Sequence, residues 1–281
     1  MADQLHVSVT QAIAVAESAE AEFMFAFESG APAEVQRGLG MSQARLGGGV
    51  VLVMAKDPTG GYWNKSLGFG VSEPITDDLV AEVVGRYRSA QAPAGVLQIA
   101  PSVIPDDWEE IRARHGLMAG ALWVKLLRPA AVPATPSVTD LRVGPLPAEE
   151  ALRWATVFAK GFEMPEDPLL LTVFAAATTA PGFTAYGAWD GERLVAASQL
   201  YTTGTTGAFS GAATLPEFRG RGAQSAFMQL RIEAAQQAGC EWLSTETWQE
   251  LEGAHNPSLQ NMVRAGFVPV YDRRNWVWRS A

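Results

Sequence analysis

The sequence predicts a mixed α/β (α+β) protein built as two lobes of similar length. Three observations carry that expectation. The segment Arg128-Pro-Ala-Ala-Val-Pro-Ala-Thr-Pro-Ser137 is too rich in proline for a helix or a central strand, and it divides the 281-residue chain near its middle. On either side, short apolar runs of strand length alternate with longer stretches of helical spacing. In the second half, Asp190-Gly191 joins two such runs as a hairpin turn does. The expected units are residues 1–128, a semi-rigid linker over 129–138, and residues 139–281.

In the first half, residues 11–27 read as a helix and residues 49–55 as a strand that stops before Pro58-Thr-Gly-Gly61. Thr76 can cap a helix over 76–89, whose apolar positions include Leu79, Val83 and Val84. A strand over 94–100, a helix over 106–115 and a strand over 118–127 follow. The cluster Tyr62-Trp63-Asn64-Lys65, after a glycine turn, reads first as a core edge and second as a surface facing the other lobe's cleft.

The second half begins with a short strand over 140–143 and a helix over 148–162 with Leu152, Ala155, Val157, Phe158 and Phe162 on one broad face. An acidic loop leads to a helix over 168–178, whose proline sits where its missing N–H costs little. Strands over 183–189, 194–201 and 207–215 follow. Then comes Leu215-Pro-Glu-Phe-Arg219-Gly220-Arg221-Gly222-Ala223-Gln224-Ser225, between a strand and a long helix over 221–238 that Gly239 ends. Its glycines let the backbone turn tightly, and the helix start adds unpaired N–H groups and the positive end of its dipole. That combination is an anion cradle suited to a phosphate or pyrophosphate. A strand over 240–248, a helix over 257–265 and a long strand over 267–278 complete the half.

The net charge of −9, with no basic tract, argues against nucleic-acid binding and is compatible with cationic, amine-bearing substrates. The single cysteine, Cys240, excludes an intrachain disulfide and reads as a small buried residue. The three histidines, His6, His115 and His255, show no metal-ligand spacing, so no metal is expected. The start, Met1-Ala-Asp-Gln-Leu-His6, lacks the features of a signal peptide, and no apolar run is long enough to span a membrane. The chain reads as cytoplasmic; its oligomeric state is left open.

Over residues 139–281 the element order and two motifs resemble the GNAT acetyltransferase superfamily. Its Arg/Gln-x-x-Gly-x-Gly/Ala turn aligns with Arg219-Gly220-Arg221-Gly222-Ala223-Gln224, where Gln224 replaces the final small residue. Its Asn, Ser or Ala, Tyr and Gly-Phe pattern aligns with His255-Asn256-Pro-Ser258-Leu-Gln-Asn261-Met262-Val-Arg-Ala-Gly266-Phe267. Met262 falls where many members carry the tyrosine thought to protonate the departing thiolate, and a thioether cannot do this. The layout of the whole chain resembles two-lobed members, with a degenerate first lobe that lacks the phosphate turn, and the resemblance implies a GNAT-like, mostly antiparallel sheet flanked by helices in two tandem lobes.

The resemblance implies acetyl-CoA (coenzyme A) as donor and a primary amine of a small molecule or peptide as acceptor. It assigns the cofactor to Ala213, Leu215, Arg219, Gly220, Arg221, Gly222, Ala223, Gln224, Asn256 and Ser258. In that reading a backbone N–H near Ala213 and Leu215 polarises the thioester carbonyl, and the Gln224 side chain points away from the phosphates. Glu246 is the first candidate for general base and His255 the second. Glu163, Glu166 and Asp167 lie in the loop that lines the acceptor site in the superfamily. Trp248, Tyr271, Trp276 and Trp278 read as packing residues, of which one or two could line the acceptor pocket. The competing expectation is a non-catalytic acyl-CoA-binding sensor or interaction module, motivated by Gln224 and Met262.

Overall fold

A computed structural model describes residue 5, residues 7–250 and residues 255–280. Residues 1–4 and 6, within the start read above for a leader, lie outside the described residues. The first half contains helix α1 (Val9–Ser29), α2 (Ala33–Leu39), strands β1 (Met41–Leu46), β2 (Gly49–Met54) and β3 (Lys65–Leu67), α3 (Asp77–Ser89), β4 (Ala94–Gln98), α4 (Trp108–Arg114) and β5 (Met118–Pro129). The second contains β6 (Arg142–Pro145), α5 (Ala151–Gly161), α6 (Pro168–Ala177), β7 (Phe183–Asp190), β8 (Arg193–Thr203), β9 (Thr206–Phe209), β10 (Ala212–Thr214), α7 (Ala223–Gln237), β11 (Trp242–Trp248), α8 (Pro257–Arg264) and β12 (Val268–Arg279).

The strands form one continuous sheet in the order β1-β2-β3-β4-β12-β5-β11-β9-β8-β7-β6, with β10 on β8. Most pairs are antiparallel; β3 with β4 and β9 with β11 are parallel. The last strand of each half crosses to the other. β5 pairs with β11 of the second half, and β12 pairs with β4 of the first. Between them β5 and β12 pair with each other, so the middle of the sheet is woven from both halves.

Alternation along the strands sends one row of side chains to each face. Val50, Leu52 and Met54 of β2 pack in the core that holds Phe23, Met24 and Phe27 of α1. Val51 and Val53 face the opposite way, toward Val80, Val83 and Val84 of α3. Helix α1 is capped by Ser8, whose hydroxyl accepts from Gln11 N–H at 3.1 Å, and it lies across the α1 face at the junction of the halves. Cys240 is buried just after α7.

One end of α1 carries an uncompensated acid. Both carboxyl oxygens of Glu28 are buried and lack a hydrogen-bond partner among the described residues. Burial first, and then Asp57, push its pKa well above the ordinary carboxylate value. A carboxyl raised on folding contributes stability fully only below its unfolded pKa, and that contribution falls as pH rises toward the folded value. Glu28→Gln is therefore expected to raise Tm at pH 8 and to flatten its decline between pH 5 and 8, as read by thermal melts across that range.

Candidate active site

The site is built around a break in the sheet. β9 and β11 run in parallel register from Thr206↔Trp242 to Phe209↔Thr245, and there the pairing stops. Ser210 and Gly211 turn the chain away, with Gly211 at φ +78° and close to the Phe158 ring, and β10 then pairs with β8 alone. Beyond Thr245, β11 keeps only β5 as a neighbour, so a gap opens between β10 and the end of β11.

The glycine turn closes one end of this gap. Gly220 and Gly222 have φ of +82° and +85°. The first helical bond runs from Ala226 N–H to the Gly222 carbonyl at 3.0 Å, leaving the N–H groups of Gly220 to Ser225 without partners among the described residues. A Cβ on Gly220 would meet nothing within 4 Å, so the turn presents bare backbone to open space. Arg219 is held beside it by the carbonyls of Thr214, at 3.3 Å, and Gly161, at 3.2 Å.

A cavity of about 1300 Å³ joins this turn to the junction of the halves. Its far wall is the α1 face of β11 and β5, backed by β12, where a network of buried charges meets. Arg273 donates to Glu17 Oε2 at 2.7 Å, Glu20 Oε2 at 2.6 Å and Glu246 Oε2 at 2.5 Å. Lys125 pairs with Glu20 and lies 3.4 Å from Glu246 Oε2. The Tyr271 hydroxyl donates to Glu17 Oε1 at 2.6 Å. Burial opposes the charged form of Glu20, but Arg273, Lys125 and Lys65 outweigh it and hold that carboxyl well below the ordinary range. For Glu246 the balance is opposite: burial and then Glu20 raise its pKa against the pull of Lys125, Arg273 and Lys65.

The family model of the acetyltransferase (GNAT) family matches residues 149–256. Residues 149–256 of the second half match as a GNAT domain. The match spans the splayed strands and the glycine turn. No curated protein matches the chain by sequence. Among solved structures, the chain is similar to a GCN5-related N-acetyltransferase from Kribbella flavida (15% identity, TM-score 0.60, covering 95% of this chain and 96% of that one). It is similar to one from Sphaerobacter thermophilus (15%, TM-score 0.59, 97% and 94%). It also resembles a tandem GNAT protein from the clavulanic acid biosynthesis pathway (17%, TM-score 0.55, 97% and 94%). The likeness runs through both halves, so the mixed α/β, tandem GNAT-like layout holds for the whole fold.

In the second half, Ala213, Arg219, Gly220, Gly222, Ala223, Gln224, Asn256, Ser258 and Glu246 all line the cavity. Four expected roles change. Arg221 turns away from the cavity and binds Asp140 Oδ2 at 2.5 Å and Asp190 Oδ1 at 3.0 Å, pinning the turn to the start of the half and to the β7–β8 hairpin. The N–H of Leu215 is spent on the Val195 carbonyl at 3.0 Å, and the register Ala213↔Ala197 puts Ala213 in the same phase, facing β8. The backbone of Ala212 and Thr214 faces the gap instead, a one-residue shift from the expected phase. Asn256 has no free side-chain group for a cofactor. Its Oδ1 caps α8 by accepting from Ser258 and Leu259 N–H, and its Nδ2 donates to Thr247 Oγ1 and the Trp248 carbonyl. His255 is 72% exposed, lies outside the cavity lining and sits 3.5 Å from Glu250.

Gln224 donates to Thr214 Oγ1 at 2.9 Å. This directs its amide along β10 and leaves its backbone N–H unobstructed. Of the acidic loop, only Glu163 lines the cavity; Glu166 pairs with Lys160 at 3.4 Å and Asp167 caps α6. Met262 sits in the cavity wall with Sδ 3.8 Å from Thr245 Oγ1. Trp248 lines the cavity, whereas Trp276 and Trp278 pack on the opposite face with Trp108 and Tyr87.

Sequence reasoning missed Glu17, Glu20, Lys125 and Arg273. The signal was present in α1: acids at positions 17 and 20, three apart, within an alanine- and phenylalanine-rich helix lie on its buried face and need cations. It also missed Arg231 of α7, a fully buried guanidinium that donates to the carbonyls of Phe227 and Gln199 and whose pKa burial lowers to about 9. No helix among the described residues is long and apolar enough to cross a membrane. No group of metal-ligating side chains is found among them.

Proposed function

We propose that this protein transfers an acetyl group from acetyl-CoA to a primary amine of a small molecule or peptide. The observation that carries this reading is one cavity with unpaired N–H groups at one end and Glu246 at the other, opened by the splay of β10 from β11. The bare turn at Gly220 fits a pyrophosphate, which the N–H groups from Gly220 to Ser225 would hold, with Arg219 adding positive charge. Ala212 and Thr214 offer the backbone edge along which a pantetheine arm would lie. When bound, acetyl-CoA would supply the acetyl group as a thioester.

Glu246 takes the proton from the acceptor's ammonium; the freed amine then forms a C–N bond at the acetyl carbonyl as the C–S bond breaks, and the second nitrogen proton is released to solvent. Its raised pKa brings it closer to neutrality, where a base transfers protons most effectively. Lys125 and Arg273 hold the carboxylate through Oε2, and its Oε1 makes no hydrogen bond among the described residues. Met262 donates no proton, and a thiolate, the conjugate base of a thiol and so far less basic than an alkoxide, leaves without one. The units 1–128, 129–138 and 139–281 are retained as part of this reading, with the first unit walling the acceptor side.

Isothermal titration with acetyl-CoA tests the donor site, and coenzyme A release with an amine panel tests the chemistry. Glu246→Gln is expected to bind acetyl-CoA as the parent does and to lose at least about 100-fold in kcat/KM. The parent's rate is expected to fall at low pH through a pKa above the ordinary carboxylate range, and this limb should vanish in the variant. Tight binding of acetyl-CoA with no coenzyme A release on any amine would replace this reading with the non-catalytic sensor.

A further inference from the structure

Lys65 of β3 has a different setting from every other cation of the cavity. It is 5% exposed, yet its ammonium forms no hydrogen bond or ion pair with any described residue. Strand alternation explains where it points. Ser66 bonds to Tyr87 of α3 on the opposite face, so Lys65 faces α1 and the cavity. There its Nζ lies 4.4 Å from the centre of the Tyr62 ring and 5.8 Å from that of Trp123. Tyr62 and the buried acids Glu246 and Glu20 keep the amine charged against the cost of burial. A buried ammonium without a hydrogen-bond acceptor is expensive, and aromatic faces recover only part of that cost. The open position in front of Nζ is a place for an anion.

The charge balance of the junction says which anion. Within this cluster Glu17, Glu20 and Glu246 stand against Lys125, Arg273 and Lys65, so its charges cancel; burial favours the neutral form of Glu28, the other acid that acts on Lys65, and Arg231 is held apart on the carbonyls of Phe227 and Gln199. A simple cationic amine entering beside Glu246 would add net positive charge next to Lys65. A zwitterion, with its ammonium at Glu246 and a single negative charge at Lys65, leaves the balance intact. A phosphate dianion would overshoot it. Around these groups the cavity wall is apolar and aromatic, formed by Phe23, Phe27, Trp63, Phe158 and Phe162.

We infer that the acceptor is an amino carboxylate with an apolar side chain, its carboxylate bound by Lys65 of the first half and its amine presented to Glu246 of the second. The inference rests on acyl transfer in this cavity. In it the two halves divide the work. The first half supplies the specificity for the carboxylate, and the GNAT domain supplies the donor site and the base.

Three matched pairs test it: L-leucine with isopentylamine, L-phenylalanine with phenethylamine, and L-tryptophan with tryptamine. Each compound is assayed for coenzyme A release at saturating acetyl-CoA, and each is titrated calorimetrically into the protein saturated with coenzyme A. The parent is expected to prefer the carboxylate of at least one pair by about 10- to 100-fold, the range for a charge-assisted hydrogen bond. Lys65→Met should erase that preference, and Lys65→Arg should keep part of it. Unchanged coenzyme A affinity in both variants would show that the fold and donor site persist. A parent without preference in turnover and in binding, or a preference that survives Lys65→Met, overturns the inference. A binding preference that depends on Lys65, without turnover of any amine, upholds the carboxylate site and rejects the catalytic reading instead.

Discussion

Gly222→Ala is expected to abolish measurable acetyl-CoA binding and to lower Tm by several degrees. At φ +85° any side chain is strained, by about 1–2 kcal/mol. A Cβ there would also stand 2.2 Å from the Val138 carbonyl oxygen. That carbonyl cannot easily retreat, because the next residue, Thr139, donates through Oγ1 to the Arg221 carbonyl at 2.7 Å. The turn must give way, and the N–H groups it aims go with it. Each charge-assisted hydrogen bond contributes about 1.5–3 kcal/mol, so misaiming two of them weakens binding by about 100- to 10,000-fold. Gly220→Ala separates the two effects. It meets no neighbour and should cost only the backbone strain, yet its methyl projects from the bare turn and should still impair binding. Melting curves and isothermal titration of the two variants side by side give the comparison.

Arg273→Met is expected to produce the largest loss of stability, about 3–5 kcal/mol in urea denaturation. The guanidinium is fully buried and touches three carboxylates. Removing it leaves Glu17, also fully buried, with only the Tyr271 hydroxyl, and leaves Glu20 with Lys125 as its ion-pair partner among the described residues. Adding Glu17→Gln and Glu20→Gln to Arg273→Met should recover part of the loss, because a neutral buried network costs less than an unbalanced one. The pH dependence follows from Glu20. Its folded pKa is depressed, so its contribution is present above the unfolded value of about 4.3 and is lost as pH falls through the much lower folded value. Without Arg273 that acid loss should begin at a higher pH.

Legibility followed the range of the interactions. The glycine turn, the helix behind it and the order of the second half could be read because each depends on neighbours in sequence. The phase of β10 could not: the extra residues at Ser210-Gly211, which shift Ala213 and Leu215 to face β8, look like a continuation of the strand. In the first half, α2, β1 and β3 were not anticipated. β1 alternates polar and apolar residues weakly, and β3 has only three residues. Arg221 looked like part of the cradle because its partners, Asp140 and Asp190, are remote in sequence. Glu246 could be placed at a strand end, but its setting depends on Lys125 and Arg273, which arrive on β5 and β12 from opposite halves.

The crossing of β5 and β12 governs how this protein is made. As synthesis proceeds from the N-terminus, β5 emerges long before its neighbours β11 and β12 exist, and β4 waits for the last strand of the sheet. The first half therefore cannot complete its fold early on the ribosome, and its apolar strand edges stay open until β11 and β12 have emerged. The charge network closes only when Arg273 of β12 docks under α1. The charged wall of the cavity is thus the last part of the molecule to form, and an incompletely synthesised chain would carry the glycine turn with Glu246 still lacking Arg273.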